Sequence, residues 1–284
     1  MSAKFGPAGT GDSFKTLGYK SSLQVPKYLV DIGLDCFEYQ CGRGVNIGLE
    51  KASELGKIAK ENGITLSLHA PYYISMSSVE EEKRLNSVNY ILASARAVNA
   101  MGGDRIIVHT GSCGKIPREE ALSLAIDTMK KSLDALKSEG LSHIHICPET
   151  MGKVNQLGTL YEVLELCKID ESLIPCIDFG HLNARDLGIL KTTEDFEKIF
   201  IQIKNDLGSD RLKVFHSHFS KIEYTTGGEK KHLTFEDSVY GPDFEPVMEL
   251  TYKYGCSPTF ICESAGTQAE DAKQMKDYYM CLCK

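Results

Sequence analysis

The sequence lacks a long apolar segment, a paired-cysteine motif and an excess of positive charge. No run approaches the roughly 18 apolar residues of a membrane helix, and the N-terminus has no apolar leader, so we expect a soluble cytoplasmic protein without a membrane partner. The ten cysteines are scattered without CxxC spacing, which favours reduced thiols over a cysteine zinc site or a disulfide framework. A net charge of −7 disfavours non-specific coating of nucleic acid, and no feature implies a protein partner.

Short runs rich in Ile, Val, Leu or Phe alternate eight times with longer helical runs. The predicted strands are Lys4–Ala8, Cys36–Gln40, Thr65–His69, Arg105–His109, His143–Cys147, Ile174–Asp178, Leu212–His218 and Thr259–Glu263. Strict alternation predicts parallel strands joined by helical crossovers, and eight repeats favour a closed (β/α)8 TIM barrel over an open sheet. The length of 284 residues suits one such domain over residues 1–284, with one long irregular segment at Ser220–Tyr240.

From the third predicted strand onward, every strand ends in or near His, Asp or Glu. These residues are His69, His109, Glu149, Asp178 with His181, His216 with His218, and Glu263. In a parallel barrel the carboxyl ends of all strands meet at one face, which is where barrel enzymes carry their active sites. Residues far apart in sequence are therefore expected to form one cluster.

The mixture of imidazoles and carboxylates predicts a metal centre. Such ligands suit Zn²⁺, Mn²⁺ or Fe²⁺, with zinc preferred, and several carboxylates facing one another would repel without a cation. The number of ligands allows two or three ions, with Glu149 able to bridge a pair. Glu149 and Glu263 are the predicted catalytic carboxylates, because paired metal ions can promote phosphoester displacement.

Some of these residues also have structural interpretations. His143 and His145 begin a strand and point to the opposite end of the barrel, so we interpret them as structural. His218 shares a strand face with His216 and could either join the metal shell or contact a substrate. Asp178 could cap the turn that follows it, although its spacing from His181 favours the metal interpretation.

These stretches resemble the endonuclease IV family of apurinic/apyrimidinic endonucleases, within the xylose isomerase-like barrel superfamily. The resemblance spans nearly the whole chain in strand order and is carried by the stretches His69-Ala70-Pro71-Tyr72, His109-Thr110-Gly111, Pro148-Glu149-Thr150, Asp178-Phe179-Gly180-His181, His216 and Cys262-Glu263. It implies three zinc ions: one on His69, His109 and Glu149, one on Glu149, Asp178, His216 and Glu263, and one on His181 with an Asp-x-His pair. It also implies that Tyr72 and Arg43 probe DNA at a flipped abasic sugar.

The sequence departs from this family at two places. Where the family has Asp-x-His, this chain has Lys230-Lys231-His232, and a lysine ammonium has no lone pair with which to bind zinc. His232 fits the pattern, so either Glu229 or His218 replaces the missing carboxylate, or the third zinc is weak, absent or replaced by the charge of Lys230 acting on a phosphate. The first strand also lacks the histidine common in the family.

Three functions are compatible with these residues. The first is hydrolysis of the phosphodiester 5′ to an abasic site in DNA, which Arg43, Lys230 and His218 would help to bind. The second is isomerisation or epimerisation of a sugar at a one-metal site made of Glu149, Asp178, His216 and Glu263. The third is a metal sensor or a barrel without activity. Metal counting separates them, since two or three zinc ions favour the nuclease and one Mn²⁺ favours the sugar enzyme.

Overall fold

The computed structural model describes residues 2–284, over which strands and helices alternate. The strands are β1 Lys4–Pro7, β2 Cys36–Gln40, β3 Thr65–His69, β4 Arg105–Val108, β5 His145–Pro148, β6 Cys176–Asp178, β7 His216–Phe219, β8 Ile222–Thr225, β9 Gly228–His232 and β10 Thr259–Cys262. The α-helices are α1 Asp12–Thr16, α2 Val25–Ile32, α3 Leu49–Glu61, α4 Glu81–Ala100, α5 Arg118–Ser138, α6 Leu160–Cys167, α7 Phe179–Arg185, α8 Thr193–Leu207, α9 Ser209–Val214, α10 Glu245–Lys253 and α11 Gln268–Leu282. A 3-10 helix covers Ser22–Gln24.

Eight of the strands within residues 2–284 form a parallel barrel. β2, β3, β4 and β5 pair in that order, and β6, β7, β10 and β1 form the second half. Parallel bridges join Ala8 to Glu38 and Glu149 to Cys176, so the two halves meet at both seams. The predicted (β/α)8 barrel is confirmed. Among residues 2–284, no helix is long and apolar enough to cross a membrane.

Alternating strand residues face the helices or the inside of the barrel, because side chains of a strand alternate between its two faces. The residues that face the helices, such as Phe37, Leu68 and Ile146, belong to the main apolar core. The inside of the barrel is filled by two small apolar groups and by buried polar side chains. The apolar groups are Ile107, Cys147, Ile174 and Cys176, and Ala8, Cys36 and Ile261; the polar side chains include Glu38, Ser67, His216 and His218.

Two predicted segments differ substantially in the structure, while the bounds of the other strands shift by at most two residues, as where the fifth strand begins at His145 and not at His143. The seventh strand was predicted to begin at Leu212, but it begins at His216, because Gly208 adopts a positive φ of 86° and lets a second short helix, α9, follow α8 directly. Ser220–Tyr240 was predicted to be irregular, but it contains the antiparallel hairpin of β8 and β9. The bridge between Lys153 and Gly228 ties this hairpin to the loop after β5, and so holds it beside the carboxyl ends of the barrel strands.

Candidate metal centre

Glu149 lies at the centre of a buried histidine cluster. Its Oε2 atom is 3.3 Å from His69 Nε2 and 3.2 Å from His109 Nε2. Its Oε1 atom is 3.0 Å from His218 Nδ1 and 3.4 Å from His181 Nδ1. The carboxylate is fully buried, so each oxygen is shared between two imidazole rings and not with solvent. This convergence brings together side chains from β3, β7 and the segments that follow β4, β5 and β6.

Asp178 combines both interpretations that the sequence allows. It is the N-cap of α7, where its Oδ1 atom accepts a hydrogen bond of 2.7 Å from the backbone N–H of His181. Its Oδ2 atom is buried and lies 3.2 Å from His181 Nδ1, but it accepts no hydrogen bond from any residue in the range 2–284. One oxygen therefore caps the helix, and the other has room to bind a metal ion at the cluster.

A second group lies where the barrel meets the hairpin. His181 Nε2 is 3.5 Å from Glu229 Oε2, and His232 Nε2 is 3.9 Å from the other oxygen of Glu229. His181 is held by its Nδ1 atom, 2.9 Å from the carbonyl oxygen of Thr150, and His232 Nδ1 lies 2.8 Å from Ser220 Oγ. Glu229 is thus the carboxylate that lies between the two histidines, at the place where the sequence pattern put a lysine.

Lys230 points away from this group. The hairpin has a bulge at this point: Tyr224 pairs with Glu229 and Glu223 pairs with Lys231, which leaves Lys230 as the extra residue of β9. Its ammonium forms an ion pair with Glu223 on β8, and Lys231 forms a second one with the same carboxylate at 3.3 Å. The predicted contact of Lys230 with a substrate phosphate would compete with this ion pair.

The structure places His218, and not His216, against the cluster. β7 continues to Phe219, and its register pairs His218 with Asp178 at the rim and His216 with Cys176 one layer below. Two residues of a strand advance by about 6.6 Å, which is enough to remove His216 from the rim. His218 Nδ1 lies 3.6 Å from Glu263 Oε2 in addition to Glu149, whereas His216 Nε2 lies 3.0 Å from Glu38 Oε2.

Charge is balanced in this cluster by protonated imidazoles. Burial raises the pKa of Glu149, but the charge of His218 and the contacts with His109 and His181 outweigh burial and hold that pKa well below its usual range. Burial lowers the pKa of His218, but Cys176 and then the carboxylates Glu263, Glu38 and Glu149 raise it well above its usual value. A metal ion that bound here would take over the positive charge.

The same balance holds around Asp178. Burial raises the pKa of Asp178, and the nearby carboxylates Glu263 and Glu149 raise it further against the opposing effect of His181. Burial lowers the pKa of His181, but Asp178 and Glu149 raise it to about 10. Carboxylates this close repel one another, and in the metal-free protein histidine protons offset that repulsion.

Three sets of candidate ligand atoms fit metal ions at this end of the barrel. In each set, one nitrogen or oxygen per residue lies within 4.8 Å of the others. The sets are His69, Glu149 and His218; Glu149, Asp178, His218 and Glu263; and His181, Glu229 and His232. His109 contacts the first set through Glu149. Imidazole nitrogen and carboxylate oxygen are zinc ligands, and the Oδ2 atom of Asp178, which is buried without a hydrogen bond, is the kind of ligand atom that an ion would satisfy.

A polar cleft of about 540 Å³ opens above these sets. Its lining includes Gln40, Tyr72, Lys153, Gln156 and Gln268, together with ligand candidates such as His109, Glu229 and Glu263. Tyr72 is 61% exposed, and its ring lies 5.8 Å from that of His69 and 5.5 Å from that of His109. Arg43 is exposed in the loop after β2, which the hydrogen bond from Tyr72 N to Gly42 O holds beside Tyr72.

Sequence reasoning missed several residues of the site. Lys153 and Gln156 lie in the loop after β5, whose path a sequence does not reveal, and Gln268 is the first residue of α11. Glu38 could have been found, because a carboxylate within the otherwise apolar and aromatic run Cys36–Tyr39 must be buried with a partner. Glu38 contacts both histidines of β7, His216 at 3.0 Å and His218 at 2.9 Å.

Comparison with known proteins finds relatives that match most of the chain. A protein of Methanocaldococcus jannaschii described as uncharacterized is 32% identical over 269 residues, which cover 93% of this chain and 96% of that protein. A probable endonuclease 4 of Oceanobacillus iheyensis is 28% identical over 218 residues, which cover 72% of this chain and 71% of that one.

Solved structures share the fold at lower identity. A D-tagatose 3-epimerase-like protein superposes with a TM-score of 0.72 at 20% identity, covering 98% of this chain and 97% of that one. Endonuclease IV from Thermus thermophilus superposes with a TM-score of 0.65 at 17% identity, covering 99% of this chain and 98% of that one. The sequence profile described as xylose isomerase-like TIM barrel matches residues 26–279. The chain therefore belongs to the xylose isomerase-like TIM barrel family, as its resemblance to endonuclease IV implied.

Proposed function

We propose that this protein is a zinc-dependent endonuclease that cleaves DNA on the 5′ side of an abasic site. The observation that carries the proposal is the third ligand set, His181 with Glu229 and His232, beside the two sets that share Glu149. A one-metal sugar isomerase needs only the Glu149, Asp178, His218 and Glu263 set, so a further carboxylate between two histidines is unexplained in such an enzyme. Several relatives named as probable endonuclease 4 support the same activity.

In this proposal Glu149 belongs to two of the three sites and Glu229 replaces the aspartate of the family pattern. His69 and His109 would hold one ion with Glu149, and His218 takes the role first expected of His216. When bound, the ions would supply a Lewis acid for the phosphate and an acidified water molecule as nucleophile. Glu149 is too deeply buried to touch a substrate, so its role is to hold the metal ions in place.

The side chains that face the cleft would bind and orient the DNA. Lys153 is exposed at the cleft and can pair with a phosphate, while Gln40 and Gln156 offer amide groups to sugar and phosphate oxygens. The exposed ring of Tyr72 offers a face on which the DNA can pack beside the histidines. A sugar without a base enters such a cleft at low cost, because no base has to be unstacked.

The experiment is cleavage of a duplex that carries one tetrahydrofuran lesion. Purified protein should bind about three equivalents of zinc and nick the lesion strand on its 5′ side, leaving a 3′ hydroxyl end. Removal of zinc by a chelator should abolish nicking, and added zinc should restore it. The Glu149→Gln variant, which keeps the size of the side chain, is the matched negative control.

Two results would contradict the proposal. An intact lesion strand in the presence of three bound zinc ions would exclude the nuclease activity while leaving the metal sites in place. A single tightly bound Mn²⁺ together with epimerisation of a ketose would favour the sugar enzymes that share this barrel.

A further inference from the structure

Arg185 is a buried cation that binds the backbone of a single loop. It is the last residue of α7 and is 8% exposed. Its Nη1 atom donates hydrogen bonds of 2.9 Å to the carbonyl oxygens of Met151 and Lys153. Its Nη2 atom donates to those of Val154 at 2.8 Å and Gln156 at 3.1 Å. All four acceptors lie in the loop between β5 and α6, so one planar guanidinium fixes the backbone path of this loop.

Arg118, the first residue of α5, holds the same loop from another helix. Its Nη1 atom donates to the carbonyl oxygen of Val154 and its Nη2 atom to that of Gln156, each at 3.0 Å. The same guanidinium pairs with Glu162 on α6 at 2.7 Å. The second half of the loop therefore keeps these supports when Arg185 is replaced, and the first half is the part that such a variant loosens.

The loop is in turn bonded to the hairpin that carries Glu229. The N–H of Glu229 donates a hydrogen bond of 3.0 Å to the carbonyl oxygen of Gly152, and the N–H of Val154 donates one of 3.1 Å to that of Gly227. A Cβ atom at Gly152 would lie 2.6 Å from the Cβ atom of Glu229 and 2.9 Å from Cδ2 of His181, so the absence of a side chain permits this close approach. Displacement of the loop therefore moves Glu229 relative to His181.

Arg185 and His181 lie one turn apart on α7. Residues four positions apart are neighbours on one face of a helix, so the guanidinium and the imidazole project on the same side. His181 belongs to the third ligand set, and its Nε2 atom is 3.5 Å from Glu229 Oε2. One short helix thus carries a candidate ligand and also the group that holds the loop behind the opposing ligand.

We propose that Arg185 is a positioning residue for the third ligand set: it holds the loop between β5 and α6 so that Glu229 stays between His181 and His232. It acts through the loop and the hairpin, because its hydrogen bonds go to the loop and not to the ligand atoms. The inference rests on the proposed metal centre, but not on the proposed nuclease activity. Residues that orient the ligands of a metal site typically change its affinity by about 10- to 100-fold when they are replaced.

The test measures the affinity for each zinc ion in folded protein by competition with a chelator. Arg185→Lys keeps the positive charge but loses the planar fork that reaches four oxygens, so it should weaken one zinc ion by about 10- to 100-fold and leave the other two unchanged. Wild-type affinity for all three ions, or equal weakening of all three, would overturn the proposal.

Arg211→Lys is the matched control. Arg211 also donates hydrogen bonds to backbone carbonyl oxygens, those of Leu207 and Cys167, but it lies on α9 before β7 and so at the opposite end of the barrel. This variant should change the affinity for each zinc ion by less than about twofold. A loss of zinc affinity as large as that of Arg185→Lys would mean that general loosening of the barrel explains both variants, and it would overturn the proposal.

Amide hydrogen exchange gives a readout that a general loss of stability would not produce. The N–H groups of Glu229 and Val154 join the hairpin to the loop, so in zinc-free Arg185→Lys they should exchange about tenfold faster than in the zinc-free wild type. The N–H groups of β3 and β4 should keep their wild-type rates. Unchanged exchange at Glu229 and Val154, or an equal increase throughout the barrel, would contradict the positioning role.

Arg185→Met covers the case in which Arg185→Lys does not fold, because it leaves no buried ammonium without partners. Loss of a positive charge would by itself strengthen the binding of a cation. Weaker binding of one zinc ion in this variant therefore also reports the position of Glu229, and affinity at or above the wild-type value would refute the proposal. A wild-type protein that binds only two zinc ions would remove the third site itself, an outcome distinct from three ions whose affinities do not depend on Arg185.

Discussion

Zinc loading of the metal-free protein near pH 7.5 should release about two protons per chain. A histidine binds a metal ion only as the neutral ring, so every ligand that is protonated beforehand must lose its proton. In the metal-free protein the pKa of His181 is raised to about 10, and that of His218 is raised well above its usual value by Cys176 and the surrounding carboxylates. Both rings therefore carry a proton at this pH.

The other histidines of the cluster release fewer protons when zinc binds. The pKa of His109 is lowered, chiefly by burial, so this ring is already neutral near pH 7.5. Burial lowers the pKa of His69 too, but the contact with Glu149 outweighs that and gives a net rise, so its contribution grows as the pH falls. Each displaced proton makes the apparent Kd rise by about tenfold per unit of falling pH. Two protons correspond to about 100-fold per unit from roughly pH 8 down to 6.5, with a shallower dependence as the pH approaches 10.

Calorimetric titration in buffers of different ionisation enthalpy directly measures the number of protons released when zinc binds. The slope of binding enthalpy against buffer enthalpy should correspond to about two protons for wild type and about one fewer for His181→Ala. His143→Ala is the matched control, because His143 is exposed, lies outside the ligand sets and is hydrogen-bonded to the side chain of Asn99. A slope near zero, or one that His181→Ala leaves unchanged, would refute the charge balance described for the cluster.

Four further substitutions test other parts of the site. Glu149 belongs to two ligand sets, so Glu149→Gln should reduce bound zinc from about three ions to about one, as measured by elemental analysis. In a nicking assay, the same variant should lower the rate of lesion cleavage by about 1,000-fold or more. Gly180→Ala would place a methyl group 2.4 Å from the Ser220 carbonyl oxygen, so urea unfolding should show that the free energy of unfolding falls by about 1–3 kcal/mol. An unchanged free energy of unfolding would mean that α7 can shift to make room for the methyl group. Lys153→Ala should raise KM for lesion DNA by about fivefold, because Lys153 lies at the cleft. Lys230→Ala should change KM less than about twofold, because the ammonium of Lys230 is paired with Glu223. The reverse order would show that Lys230 binds the phosphate.

Much of the architecture follows from local patterns. Eight apolar runs separated by helical segments predict a parallel barrel, and a parallel barrel gathers all strand ends at one face. His69, His109, Glu149 and Asp178 were expected there for that reason, and in the structure they lie within reach of one another. The choice between His216 and His218 did not follow, because both point into the barrel and only the end of β7 and its register with β6 decide which one reaches the rim.

The sequence by itself determined the barrel, the face on which its polar strand ends meet and the ligand chemistry of that face, because the periodicity of strands and helices is a local property of the chain. Only the tertiary structure decided that Glu229 lies between His181 and His232, that Asp178 caps α7 with one oxygen and leaves the other without a hydrogen bond, and that Glu38 lies close to His218. The positions of these side chains depend on the depth of each residue within the barrel and on how the hairpin of β8 and β9 folds over it. Both depend on the packing of distant segments, and no local pattern carries that information.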